Sequence, residues 1–151
     1  MGHRWTNLSY ANVATTSPLA HRVSREWEDS LARGGAAEFD ADAEKLGMMP
    51  LREAAAKLLS CDVTDIFCGS SATAMMCSVA WAVMPSEKHN IVSSRAAFPS
   101  TVYPWSRVAL ETGAEIRLAS YDHNHYTKPQ DILDLIDKNT SVVVISHVEY
   151  A

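Results

Sequence analysis

Gly69-Ser70-Ser71-Ala72-Thr73 follows the apolar run Ile66-Phe67-Cys68 and opens an amphipathic stretch that continues to Val83. A helix start in that place turns unpaired backbone N–H groups and the positive end of the dipole outward together. Such a turn seats a phosphate, with about 0.3–2 kcal/mol from the dipole alone. Gly69 permits a tight bend, and Ser70, Ser71 and Thr73 add hydroxyl donors. Gly and Ser between a strand and a helix are also ordinary α/β punctuation, so the motif alone leaves both readings open.

A second stretch, Ala96-Ala97-Phe98-Pro99-Ser100-Thr101-Val102-Tyr103-Pro104-Trp105, follows a short apolar strand. It puts Phe98 beyond a strand's carboxyl end, where open α/β sheets bind ligands. Ser100 or Thr101 is placed to cap the next helix, with Pro104 confined to its first turn. An aromatic ring at Phe98 either stacks on a flat ligand, for about 0.5–1.5 kcal/mol beyond area burial, or packs the helix onto the sheet.

Other reactive residues are less organised. Asp122-His123-Asn124-His125 offers two imidazoles and a carboxylate, but no second cluster completes a zinc set, so it reads as a polar β-to-α connection. His147 follows a buried strand, either at the ligand edge of the sheet or simply hydrogen-bonded there. Nothing fixes the geometry of a Ser-His-Asp arrangement among Ser71, His147 and Asp122. Cys61, Cys68 and Cys77 are odd in number and form no C-x-x-C, the usage of reduced thiols. Trp27, Trp81, Trp105 and the paired methionines read as packing residues.

The elements that position these residues are regular. Pro18 to Arg33 is predicted as a helix capped by Ser17 and stopped at Gly34-Gly35. A helical stretch from about Asp40 to Leu59 breaks near Gly47 to Pro50. Strands at 65–68, 90–93, 115–119 and 141–146 alternate with helices at 71–84, within 100–112, and at 129–136. Short apolar strands separated by helices predict right-handed crossovers and a parallel sheet. The chain ends just past a very apolar strand, which reads as an incomplete domain with a bare sheet edge.

The apolar fraction of 47% and charged fraction of 21% are those of a soluble globular chain. A net charge of −5, with no two Lys or Arg residues adjacent, argues against a nucleic-acid partner. No stretch of about 18 apolar residues suits a membrane helix. The first residues are too polar for a signal peptide, so a cytoplasmic location is expected. Gly2 with Thr6 meets the minimal myristoylation pattern, but no polybasic patch supports it.

In order along the chain, SYANVATTSPL, GSSAT, AFPSTVYPW and VVVISHVEYA together resemble the N-terminal half of the large domain of class V aminotransferase-like enzymes. These are fold type I pyridoxal 5'-phosphate enzymes, including cysteine desulfurases, kynureninases and isopenicillin N epimerase-like proteins. The resemblance runs from about residue 9 to the end. It implies an arm over 1–17, then part of a three-layer αβα cofactor domain over 18–151, with a mainly parallel, truncated sheet.

By the same resemblance, Ser70 and Ser71 hold the cofactor phosphate and Phe98 stacks on its ring. Phe98 stands where many desulfurases have His, which points to an epimerase-like or lyase-like branch. Asn12 and Thr15 fall on the substrate side, and Tyr150 stands loosely where desulfurases place an Asn. The family's Schiff-base Lys, its Asp on the pyridine nitrogen and its substrate-carboxylate Arg have no counterparts here. Lys45, Lys57, Lys88, Lys128 and Lys138 read as surface lysines. The resemblance therefore implies an amino-acid substrate and a homodimeric complete enzyme (lyase, desulfurase, epimerase or transaminase), with these 151 residues inactive alone. The alternative is a non-catalytic subunit that binds a phosphate ligand or another chain.

Overall fold

The computed structural model describes Thr6 and residues 13–148. Two compact units divide the chain between Cys68 and Gly69.

The first unit is helical, with α1 (Pro18–Gly34), α2 (Ala41–Leu46) and α3 (Met49–Leu59). Ser17 caps α1 as its spacing predicts, accepting the Ala20 N–H at 3.1 Å. Asp40 caps α2 in the same way through the Asp42 and Ala43 N–H groups. The break expected near Gly47 separates α2 from α3. The strand expected at 65–68 does not form. Val63–Asp65 is instead a 3-10 turn capped by Asp62, whose carboxyl is held below its usual range by the Thr64 N–H and hydroxyl. Arg52 then takes the Val63 and Ile66 carbonyls, each at 2.9 Å. Carbonyls satisfied by a guanidinium no longer need a neighbouring strand.

The second unit is the α/β part, with α4 (Ala72–Val83), β1 (Asn90–Ser94), α5 (Pro99–Thr112), β2 (Glu115–Ala119), α6 (Pro129–Leu133) and β3 (Thr140–Val143). The strands are parallel in the order β2-β1-β3. The connection from β2 to β3 therefore passes over β1, as right-handed crossovers in opposite directions require. Alternation along β1 divides the two faces. Ile91 joins Ile116, Val142 and Val144 beneath Ala80, Trp105, Val108 and Ala109, which is the core between the sheet and helices α4 and α5. Asn90, Val92 and Ser94 alternate with Ile91 and so face the other way, where α6 packs on β1 and β2. The result is a three-layer αβα arrangement, matching the expected fold class. One extra residue bulges β3 between its pairings Asn90↔Thr140 and Ile91↔Val142.

Gly113 ends α5 at φ 77°, the left-handed conformation a glycine adopts without strain, and its N–H returns to Ala109 at 2.8 Å. Asp137 ties the start of β3 to the sheet. It accepts from Arg117 Nη1 at 2.8 Å, the Asn139 N–H at 2.8 Å and Asn90 Nδ2 at 2.9 Å. Those donors, Arg117 foremost, pull its carboxyl from 3.8 to about 2, while the Glu115 carboxylate first and Asp137 second raise the Arg117 guanidinium. A carboxyl more acidic in the folded state lets the unfolded chain take up the proton first, so stability falls with falling pH. Urea midpoints are expected to hold above about pH 4 and to drop between about pH 4 and 2. Asp137→Asn should lower the midpoint at pH 7 and lose that acid-dependent component.

Candidate functional site

α4 begins where the small-residue turn predicts. Ser71 is its N-cap, in extended backbone, with Oγ accepting the Ala74 N–H at 3.1 Å. Met75 N–H closes the first turn onto the Ser71 carbonyl at 3.1 Å. The Ala72 and Thr73 amides are thus the first-turn donors with no acceptor inside the helix. The Ser71 oxygen only accepts in this cap, so its own O–H proton remains to be given. Ser70 is exposed in the bend just before it. Gly69 has no positive φ, and a Cβ there would meet the end of the flexible Met75 side chain, which would have to shift.

The second motif starts α5 earlier than its hydroxyls suggest. Phe98, not Ser100 or Thr101, is the N-cap residue, and it caps without its side chain. Pro99, whose fixed φ suits a first helical position, decides the boundary. Pro104 therefore lies inside the helix rather than in its first turn. It withholds one N–H from the Ser100 carbonyl, and its ring is buried. Phe98 is 48% exposed at the head of this helix.

A bond invisible in the sequence joins the two helix starts. Thr73 Oγ1 donates to Ser100 Oγ at 2.9 Å, across 27 residues. The only sequence signal is a hydroxyl near the head of each helix. Two positive helix ends are thereby fixed side by side, with Ser71 at one and Phe98 at the other.

The family model for class-V aminotransferases matches residues 9–151. The chain belongs to the class-V aminotransferase family. Comparison with curated proteins gives no match. In this class-V aminotransferase chain the predicted site residues fall into two groups. Ser70, Ser71 and Phe98 lie in the second unit, at the starts of the two helices that the Thr73–Ser100 bond joins. Thr15 is exposed in the segment before α1, in the first unit, and Asn12 and Tyr150 lie outside the described residues.

The Asp122–His125 stretch is a β-to-α connection, between β2 and α6. Asp122 Oδ1 accepts the Asn124 and Tyr126 N–H groups at 2.8 and 3.1 Å, and His125 stacks on Tyr121 with ring centroids 4.9 Å apart. Beside it a cleft of about 470 Å³ opens between residues 124–127 and Ile145–His147, with Ser94 at the end of β1 among its walls. His147, exposed beyond the end of β3, is one of the cleft's lining residues. Trp105 is core, 3% exposed, while Trp27 and Trp81 are exposed, Trp27 lying edge-on to Phe39 at 6.1 Å. Among the described residues no helix is long and apolar enough to cross a membrane.

Proposed function

We propose that this class-V aminotransferase chain seats pyridoxal 5'-phosphate, its phosphate at the start of α4 and its ring against Phe98, for chemistry on an amino-acid substrate. The observation that carries the reading is the pair of helix starts joined through Thr73 and Ser100. The donors fit the group. The Ala72 and Thr73 amides and the Ser71 hydroxyl suit phosphate oxygens, and Ser70 precedes them in an exposed bend. Phe98, half-exposed, offers a ring to a flat heterocycle.

When bound, the cofactor supplies an electron sink for breaking bonds at the α-carbon of an amino acid. The residues of this chain hold and orient it. Ser71, its oxygen accepting the Ala74 N–H, would have its O–H left to give to the phosphate, and Phe98 would stack on the ring. Lys57, Lys88, Lys128 and Lys138 are exposed, and no lysine lies on α4, on α5 or in the turns leading into them. The part played by these residues is accordingly binding rather than imine formation.

Titration with pyridoxal phosphate, with pyridoxal as control, tests this. Saturable binding of the phosphate ester alone is expected, and borohydride should then label no single lysine. Equal binding of both compounds, or of neither, removes the phosphate seat. One defined borohydride adduct removes the purely binding role.

A further inference from the structure

The cleft beside β3 uses none of the residues assigned to the cofactor. We propose that it binds a small carboxylic acid, the carboxylate at its polar rim and the carbon chain on its apolar wall.

The inner end of the cleft holds a spare donor. Ser94 is 2% exposed, and its Oγ accepts the Ala96 N–H at 3.0 Å and lies 2.6 Å from Thr127 Oγ1. Two hydroxyls sharing one hydrogen bond use only one of their two protons. With Ser94 donating, the buried serine is fully used and the half-buried Thr127 keeps an O–H to give to a ligand; both residues line the cleft.

The rim repeats that chemistry. His125, Ser146 and His147 also line the cleft, and each side chain can donate. His125 is held there at φ 59°, a left-handed conformation uncommon outside glycine, by the Asp122 turn and the Tyr121 stack. None of the lining residues is Asp, Glu, Lys or Arg. A donor-rich wall without a fixed cation suits the single, delocalised charge of a carboxylate better than a doubly charged phosphate. Ile132 and Ile145 supply the apolar wall that a short carbon chain requires. The position fits as well, since the cleft lies at the carboxyl ends of parallel strands.

The test is an amide-resolved NMR titration of the whole chain with sodium propionate, using propionamide as the uncharged probe of the same shape. Propionate is expected to give saturable shifts confined to Ser94, residues 124–127, Ser146 and His147, and propionamide none. His125→Asn combined with His147→Ala, at two exposed positions, should raise the propionate Kd about ten-fold or more. Unsaturable shifts, an equal response to propionamide, or an unchanged Kd in the double variant would each overturn the proposal. Pyridoxal phosphate reads the α4 and α5 starts instead, so either assignment can fail without the other.

Discussion

Ser71→Asp is expected to keep α4 intact and to lower pyridoxal phosphate affinity by a hundred-fold or more. The two effects separate because Ser71 has two jobs. As an N-cap, aspartate is as good as serine, accepting the same Ala74 N–H, and its charge suits the helix dipole by about 0.3–1 kcal/mol. As part of a phosphate seat it is the wrong sign. Like charges about 4 Å apart repel by about 4 kcal/mol near a protein surface, more than the hundred-fold loss needs. The melting temperature should hold or rise while binding, measured by equilibrium dialysis, disappears. Undiminished binding would move the phosphate away from α4.

Trp105→Ala is expected to remove about 3–5 kcal/mol of stability, the usual cost of deleting a buried indole. Trp105 sits 3% exposed in the cluster with Ile91, Val108 and Val144, so the loss opens the main contact between α5 and the sheet. Small domains are stable by only about 5–15 kcal/mol, so this change alone uses much of that margin. Trp105→Phe should behave differently. Among the described residues the buried indole Nε1 has no hydrogen-bond partner, and removing an unsatisfied donor relieves about 1–3 kcal/mol. That relief offsets the smaller ring, leaving the variant within about 1 kcal/mol of the parent. Urea denaturation followed by circular dichroism distinguishes the two variants. A phenylalanine variant as unstable as the alanine one would mean that the N–H is satisfied in solution.

Most of the α/β frame was legible because it depends on local signals. Ser17 before Pro18, the small-residue turn at Ser71 and the apolar runs at 90–93 and 115–119 each mark an element by chemistry within a few residues. The misreadings share the opposite cause. Ile66-Phe67-Cys68 looks like a strand, but Arg52, 14 residues before Ile66, takes the carbonyl a ladder would have used. Pro104 looks like a first-turn proline until Pro99 is seen to start the helix, with the core holding the later ring. The Thr73–Ser100 bond and the Ser94–Thr127 pair join residues 27 and 33 positions apart. Spacing along the chain carries no trace of such pairs; only the packing of α4 on α5 and the return of the β2–α6 loop onto β1 create them.

The central claim concerns where the cofactor phosphate rests, and an amide-resolved titration with pyridoxal phosphate reads that directly. The account predicts saturable shifts at Ser70 to Thr73 and at Phe98 to Thr101, with pyridoxal leaving the first group unmoved. Shifts that saturate elsewhere, while the amides at the start of α4 stay still, would contradict it.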